Sequence, residues 1–282
     1  MALIEENIFG TTDKVAQAIA RIKLNEPKND IGYDVQFSGG KDSCVVYDLV
    51  KRAGVKYRVN YCQTTVDPPE LVRFIKEQYP EVTWIRPKRT MWQLIKDKGF
   101  LPIPQIRYCC KELKESFHPP AGGAVVTGIR WAESARRAQR KPVETCMSKA
   151  KSYFVHPIID WSDDDVWEYI KKYNVPYCKL YDQGHKRLGC ILCPFQSAKS
   201  RARDIAEYPK YVENYKKAFF RVANWKPAPI TETQRAEGLK PIISKEEEWE
   251  WWLRQGYRRK KSAEVNCESL FEYRIDEDEN FL

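Results

Sequence analysis

The sequence predicts an α/β fold: a doubly wound, mainly parallel sheet followed by a C-terminal helical appendage. Strand-like and helix-like segments alternate between residues 31 and 200, and a glycine-rich hexapeptide at residues 38–43 lies at a strand-to-helix junction. Beyond residue 200, prolines interrupt helical stretches. The predicted domains are an N-terminal helix over residues 1–30, the α/β domain over 31–200 and a helical, Trp-rich and basic region over 201–282.

The individual elements follow from composition and spacing. Val15, Ile19 and Ile22 recur at helical spacing, which predicts a helix through the opening residues to about Leu24, with a candidate cap at residues 11–12. The predicted strands are residues 33–37, 55–61, 82–85 and 122–130. The predicted helices are residues 44–50, 67–76, 90–98 and 162–170. Because helices connect the strands, the strands should be parallel and a ligand should bind at their C-terminal ends.

The composition excludes a membrane protein, because no run of 18 apolar residues occurs in the 282-residue chain. The N-terminus lacks the basic and apolar regions of a signal peptide, so a cytoplasmic location is expected. Nine cysteines in a cytoplasmic protein indicate metal, cluster or thiol chemistry rather than disulfides. The net charge of +9 fits an anionic partner, either nucleotide or nucleic acid, and equally fits a solvated basic surface.

The hexapeptide at the first strand-to-helix junction has the features of a phosphate-binding loop. Its residues are Ser38, Gly39, Gly40, Lys41, Asp42 and Ser43. Two glycines permit a tight turn that brings backbone N–H groups and a helix N-terminus against an anion. Lys41 supplies a full positive charge. The string departs from the Walker pattern, which has four residues between its glycines. A purely structural turn is the alternative.

Further candidate ligands follow two other predicted strands. Thr64 and Asp67 could contact the base or ribose of a nucleotide, or Thr65 or Asp67 could simply cap the next helix. The end of the predicted strand at residues 122–130 carries Gly128 and Arg130, and Arg136 and Arg137 come shortly after it. Arginine makes forked contacts to phosphate or sulfate oxygens, although on a generic helix Arg136 and Arg137 would only be solvated. Three aspartates at residues 163–165 are interpreted as partners of a helix dipole.

Four cysteines form two pairs, Cys109 with Cys110 and Cys190 with Cys193. A C-x-x-C turn can bring two sulfurs to one metal, and a second pair can complete a site with four thiolate ligands. Adjacent cysteines suit a single ion poorly because their side chains diverge, whereas the separated irons of a 4Fe-4S cluster accept wider spacing. The sequence therefore predicts a 4Fe-4S cluster on these cysteines, with Zn²⁺ as the alternative.

Three segments together resemble the PP-loop ATP pyrophosphatases, and within them the phosphoadenylyl-sulfate reductase branch. The segments are the hexapeptide, residues 128–137, which match Gly-Ile-Arg-x-x-Glu-Ser-x-x-Arg, and residues 156–170. The resemblance implies an adenine nucleotide alpha hydrolase-like fold and a loop that holds the pyrophosphate of ATP or the corresponding groups of adenylyl sulfate. It also implies catalytic roles for Lys41, Asp42 and Arg130, with Mg²⁺ offsetting charge on the phosphates.

The cysteine arrangement resembles the 4Fe-4S set of adenylyl-sulfate reductases and of the related ATP pyrophosphatase of DNA phosphorothioation. With the basic charge, this favours an enzyme that cleaves ATP at the α–β bond to adenylylate an acceptor for sulfur incorporation. The expected acceptor is the DNA backbone, and the expected partners are DNA, a cysteine desulfurase and a second copy in a homodimer. Transfer RNA is the alternative acceptor.

Two other functions stay open. The family's reductases carry a C-terminal Glu-Cys-Gly-Leu-His motif whose cysteine attacks sulfur, and this sequence has no such motif. The one cysteine after Cys193 is Cys267. An atypical adenylyl-sulfate reductase would have to use Cys267 as its nucleophile. The third alternative is a non-catalytic nucleotide-binding subunit with a structural Fe-S site.

Overall fold

A computed structural model of the chain describes residues 3–7, 10–115, 123–145, 152–227 and 242–254. The chain divides into two units. The first contains Met1–Lys88 and Leu113–Cys190, and the second contains Arg89–Glu112 and Ile191–Leu282. This division differs from the predicted boundary at residue 200, and it assigns a segment from the middle of the chain to the C-terminal unit. Local periodicity carries no information about such a long-range partnership.

The first unit is built on a six-stranded sheet. Its strands are β3 (Tyr33–Gln36), β4 (Tyr57–Cys62), β5 (Thr83–Ile85), β6 (Ala124–Val126), β7 (Val143–Thr145) and β8 (Tyr153–Val155). Their spatial order is β5-β4-β3-β6-β8-β7, and every neighbouring pair is parallel except β7 with β8. The strand order reverses direction between β3 and β6, so the sheet is doubly wound. The predicted fold class is confirmed.

Helices connect the strands in this unit. They are α1 (Lys14–Leu24), α2 (Lys41–Ala53), α3 (Pro69–Gln78), α6 (Ala135–Ala138) and α7 (Asp163–Tyr173), with single 3₁₀ turns at Trp131–Glu133 and Lys179–Tyr181. The predicted strand at residues 122–130 proved too long, because only Ala124–Val126 pairs with β3. Residues 127–130 continue as a loop beyond the carboxyl end of β6, where they can supply side chains to a ligand.

The N-terminus differs from its predicted helix. An antiparallel hairpin of β1 (Ile4–Asn7) and β2 (Gly10–Asp13) precedes α1. The cap of α1 is Asp13, whose carboxylate accepts hydrogen bonds from the backbone N–H groups of Val15 and Ala16 at 2.9 and 3.0 Å. The candidate cap at residues 11–12 was therefore wrong. A strand-compatible Gly-Thr-Thr precedes a stronger cap residue, and the helix begins only there.

Two ion pairs, one buried and one half-buried, fasten α1 to the segment around α7. Lys14 Nζ lies 2.8 Å from Asp165 Oδ2, and Arg21 makes a forked contact to Asp160 at 2.7 and 2.6 Å. Burial alone would raise the pKa of Asp165, but the hydrogen bond from Lys14 and the cap contacts at Ser162 lower it overall. The N-terminal residues are thus an integral part of the first unit.

The second unit is helical. It contains α4 (Met91–Lys98), α5 (Tyr108–Leu113, which crosses into the first unit at its last residue), α8 (Ala198–Glu207), α9 (Pro209–Phe220) and α10 (Lys245–Leu253). α4 packs against α9, which is why Arg89–Glu112 belongs with the C-terminal residues. None of the helices that the structure describes combines the length and apolar character needed to cross a membrane.

A buried arginine organises this unit. Arg201, 1% exposed, donates to the carbonyl oxygens of Leu192 at 3.0 Å and Leu253 at 3.1 Å. Its guanidinium lies 4.0 Å from the centre of the Trp252 ring. Asp204, on the same helix, accepts from the Leu192 N–H at 2.8 Å. Leu192 has a positive φ of 57°, so its conformation is unusual for a bulky residue and depends on these contacts.

We expect Arg201→Ala to destabilise the second unit by about 3 kcal/mol, because two buried carbonyl groups lose their donor and Trp252 loses its cation. Urea unfolding followed by circular dichroism measures the loss. Lys199→Ala, an exposed position on the same helix, is the control and should change stability by less than about 0.5 kcal/mol. Equal effects of the two substitutions would contradict this account of Arg201.

Candidate functional site

The predicted phosphate loop lies between β3 and α2 at the reversal point of the sheet. Gly39 has φ of +71°, a conformation that favours glycine. A Cβ on Gly39 would lie 2.7 Å from Leu71 Cδ1 and 2.8 Å from Ile75 Cδ1, both on α3. Backbone conformation and close packing therefore both require glycine at this position. The prediction of a tight turn at this junction is confirmed.

The serines of the loop hold its shape. Ser43 Oγ donates to the Gly40 carbonyl at 2.8 Å and accepts from the Ser38 N–H at 3.2 Å. The two serine hydroxyls are also 3.2 Å apart. Gly40 is the N-cap of α2, and no side chain accepts a cap hydrogen bond there. The N–H groups of the first turn of α2 are therefore directed toward the loop. A helix N-terminus of this kind favours an anion.

Tyr181 joins the loop, although sequence reasoning did not single it out. Its hydroxyl accepts from the Lys41 backbone N–H at 2.9 Å. Burial raises the pKa of Tyr181, so the phenol keeps its proton and remains a neutral donor. The residue follows α7 in a 3₁₀ turn far from the loop in sequence. No local sequence signal would have identified it.

Four charged side chains form a network beside the loop. Lys41 Nζ lies 3.1 Å from Asp42 Oδ2 and 2.8 Å from Asp163 Oδ1. Arg130 contacts the same two carboxylates, through Nε to Asp42 at 2.6 Å and through Nη2 to Asp163 at 2.8 Å. Both cations are buried, with Lys41 4% and Arg130 3% exposed. The structure thus brings together the three predicted catalytic residues and adds Asp163.

The network charges balance each other. Burial alone would raise the pKa of Asp163, but the hydrogen bond and charge of Lys41, followed by those of Arg130, lower it overall. Burial would also lower the pKa of Arg130, and the Asp42 and Asp163 carboxylates raise it instead. Asp163 is therefore ionised and Arg130 protonated near neutral pH. Asp163 was interpreted from sequence only as a helix-dipole partner. It does lie in the first turn of α7, and its contacts with Lys41 and Arg130 add a second role.

Gly128 allows β6 to end close to the loop helix. A Cβ at this position would lie 3.1–3.2 Å from Asp42 backbone and Cβ atoms. Its role is therefore the close approach of two backbone segments, which brings Arg130 within reach of Asp42. Arg130 is further held by the contact from its N–H to Glu133 Oε2 at 3.0 Å and from Nη1 to the Trp161 carbonyl at 3.3 Å.

The other two predicted arginines do not join the network. Arg137 donates to Glu133, the same carboxylate that holds the Arg130 backbone. Arg136 is exposed on α6. Arg137 thus orders the loop that carries Arg130, and ligand binding by either Arg136 or Arg137 stays a prediction.

Thr64 and Asp67 have internal hydrogen-bond partners. Both are buried, at 1% and 6% exposed. Asp67 Oδ2 accepts from the Tyr61 hydroxyl at 2.6 Å and from the Thr64 N–H at 2.8 Å. The candidate caps Thr65 and Asp67 do not cap α3, whose N-cap is Pro68. These contacts shape the turn after β4, and direct contact of Thr64 or Asp67 with a nucleotide stays a prediction.

The four cysteines predicted to bind a cluster are all within the described ranges. The second unit contains Cys109, Cys110 and Cys193. Cys190 is the last residue of the first unit. Cys190 Sγ lies 3.4 Å from Thr64 Oγ1. The seven cysteines that the structure describes are thiols rather than disulfides. Thiolates are the donors that a 4Fe-4S cluster or Zn²⁺ takes, so the chemistry of these residues fits either group.

The grouping of these cysteines stays a prediction. Within the described ranges, no three His, Cys, Asp or Glu side chains are arranged so that they could hold a metal ion. Cys146 and Cys267 lie outside those ranges, as does the basic segment at residues 256–261. The candidate reductase nucleophile therefore has no structural description.

A protein family and two individual proteins are similar in sequence to this chain. Residues 33–196 match the family described as phosphoadenosine phosphosulfate reductase domain. An adenosine 5'-phosphosulfate reductase of Lysinibacillus sphaericus is 30% identical over 201 residues, which cover 67% of this chain and 85% of that protein. An uncharacterized protein of Methanocaldococcus jannaschii is 29% identical over 235 residues, 75% of this chain. The chain spans about half of that longer relative, 49% of its length.

A solved structure gives a weaker likeness. The phosphate complex of phosphoadenylyl-sulfate reductase from Candida auris has a TM-score of 0.46 at 20% identity, covering 62% of this chain and 87% of that chain. The family match spans more than half of the 282 residues and includes the loop, Arg130, Asp163 and the C-x-x-C turn. The resemblance inferred from the motifs is confirmed, and the chain belongs to the phosphoadenosine phosphosulfate reductase domain family.

Proposed function

We propose that this protein is an ATP pyrophosphatase that transfers an adenylyl group to an acceptor. One observation carries the proposal: the glycine-requiring loop at the start of α2 has a buried lysine, Lys41, linked through Asp42 and Asp163 to a buried arginine, Arg130. Two positive charges at a helix N-terminus are suited to a pyrophosphate group. Burial of a cation is itself unfavourable unless it is paired, so two buried cations at one helix N-terminus support a ligand-binding role in addition to a structural one.

In the proposed reaction an acceptor oxygen attacks the α-phosphorus of ATP. The bond between the α-phosphorus and the bridging oxygen breaks, and pyrophosphate leaves with that oxygen. Lys41 and the N–H groups of the first turn of α2 stabilise the charge that develops on the leaving group. Arg130 orients the phosphates by its fork, and Asp42 and Asp163 hold both cations in place until the nucleotide arrives. Mg²⁺ would offset further charge on the phosphates.

The proposed acceptor is a non-bridging oxygen of a DNA backbone phosphate. Its adenylylation gives a mixed anhydride, and the outer sulfur of a persulfide on a cysteine desulfurase partner then attacks the DNA phosphorus. A thiol reductant cleaves the S–S bond to the partner, which leaves as part of a disulfide. AMP leaves with the original oxygen, so sulfur replaces oxygen. The net charge of +9 supports an anionic macromolecular partner. We propose that Cys109, Cys110, Cys190 and Cys193 hold a 4Fe-4S cluster, and we propose a cytoplasmic location and a homodimer.

A second candidate is adenylyl-sulfate reduction. The 30% identity to an adenosine 5'-phosphosulfate reductase, over 85% of that protein, favours it. The same loop and Arg130 would then bind the phosphate and sulfate groups of the substrate. Cys267 would attack sulfur as a thiolate, with AMP as the leaving group.

Lys41→Ala should abolish pyrophosphate release from ATP, with a loss of at least about 100-fold, because the leaving group loses its buried cation. The measurement uses anaerobically purified full-length protein with and without DNA. Lys51→Ala is the matched control on the same helix, since Lys51 is exposed and pairs with Glu81 at the surface. Pyrophosphate release that survives Lys41→Ala would contradict the proposed catalytic role of the loop. If the wild-type protein releases no pyrophosphate, a non-catalytic subunit or the reductase is favoured.

Cys267→Ser distinguishes the two candidate reactions. For an ATP pyrophosphatase we expect unchanged pyrophosphate release, because the nucleotide chemistry uses no thiol nucleophile. Turnover of adenylyl sulfate to sulfite and AMP, measured on the same samples with a dithiol as the two-electron reductant, should be undetectable in both proteins. Turnover by the wild type that is lost in Cys267→Ser would instead identify a reductase. Cys178→Ser, at a buried position outside both candidate reactions, is the control for loss of a thiol.

A further inference from the structure

The second unit has a cleft between α4 and α9 that no part of the proposed adenylyl transfer uses. Its volume is about 390 Å³. The residues that line it are Trp92, Gln93, Lys96, Asn214, Lys217, Ala218 and Arg221. All of them lie within the C-terminal unit and in the described part of the chain. The cleft is large enough for one nucleotide unit and its phosphates.

The charge of this cleft has one sign. Lys96, Lys217 and Arg221 are exposed cations, and no aspartate or glutamate is among the lining residues. Lys217 pairs with Glu213 at 3.4 Å, but both side chains are more than half exposed, at 58% and 54%. Such a surface ion pair contributes little to stability and breaks readily. Like charges around a concave surface raise the local concentration of anions.

An aromatic wall lies beside these cations. Trp92 is half-buried, and its ring meets Tyr215 edge-to-face at a centroid distance of 5.0 Å. Tyr215 is itself fixed, because it is 1% exposed and its hydroxyl donates to the Ile191 carbonyl at 3.1 Å. The Trp92 ring is therefore held by a rigid neighbour. Asn214 adds an amide that can both donate and accept hydrogen bonds.

This combination fits a nucleic acid strand better than an acidic peptide. Carboxylates of a peptide would use the three cations but would leave the tryptophan face without a planar partner. A single strand of nucleic acid offers partners for the cations and for the tryptophan, since its phosphates are spaced along the backbone and its unpaired bases stack on aromatic rings. A duplex hides its base faces and would leave the Trp92 ring without a stacking partner.

We propose that the cleft between α4 and α9 binds single-stranded DNA, with Lys96, Lys217 and Arg221 contacting phosphates and Trp92 stacking on a base. The site itself follows from the geometry of the cleft, whereas the assignment of DNA rather than RNA rests on the proposed function. The cleft is thus the acceptor-strand contact of the enzyme.

The test is the anisotropy of a labelled 20-nucleotide DNA strand with the full-length protein at several salt concentrations. Lys96→Gln with Lys217→Gln should weaken binding at least tenfold at low salt. Two lost phosphate contacts should also reduce the slope of log affinity against log salt by about 1.4. Trp92→Leu should weaken binding about tenfold with little change in that slope, whereas Trp92→Phe should retain most of the affinity because a stacking face remains.

Lys171→Gln with Lys172→Gln is the matched control, because it removes the same charge from exposed positions on α7 in the other unit. An equal loss in this control, no loss in the cleft variant, or tighter binding of an RNA strand or a DNA duplex would each overturn the proposal. Cleft-dependent DNA binding by a protein that releases no pyrophosphate would leave this inference standing and contradict the proposed function.

Discussion

Burial of two cations at the reversal point of the sheet is the constraint around which the first unit is arranged. Lys41 and Arg130 are almost inaccessible, at 4% and 3% exposed, and a buried charge is tolerated only when it is paired. The pairing draws on three distant segments: the loop before α2, the loop after β6 and the start of α7. Each carboxylate contacts both cations, so removing either one leaves two charges undercompensated. The network therefore holds the three segments together.

Local chemistry explains what the sequence could predict. Two glycines before a helix, strands that alternate with helices and an arginine after a strand each have a direct structural meaning, and the structure has the predicted sheet, the loop and the Lys41, Asp42 and Arg130 cluster. Asp163 and Tyr181 were missed because their partners are far away in sequence. An aspartate at a helix start is satisfied equally well by the helix dipole, so composition does not distinguish the two roles. Thr64 and Asp67 were predicted from their strand-end position to contact a ligand. The structure shows that they have hydrogen-bond partners within the turn after β4, and their contact with a ligand stays a prediction.

The second unit could not be outlined from sequence because its order depends on contacts between separate segments. Arg201 joins the carbonyl groups of residues 192 and 253 and packs on Trp252, and α4 is inserted from the middle of the chain. The local sequence of each segment predicts only a helix or a loop and does not indicate its partner. The tryptophans near the C-terminus are explained by this packing, since Trp249 and Trp252 are buried. The C-x-x-C turn is held by the same contacts, through Asp204 and Arg201 at Leu192.

The two basic features of the protein differ in how their charge is compensated, and this difference separates their functions. The cations beside the loop are buried and already neutralised by Asp42 and Asp163. An incoming phosphate must therefore replace existing ion pairs, and it gains only the difference in free energy between the new contacts and the old ones. Such a site discriminates by geometry and is screened little by salt. The cations of the cleft are exposed, with a single weak ion pair recorded among the described residues that line it. The proposed binding of DNA there would release counterions and weaken steeply with salt. A buried, balanced network suits chemistry on one nucleotide, and an exposed, unbalanced cleft suits reversible contact with a long polyanion.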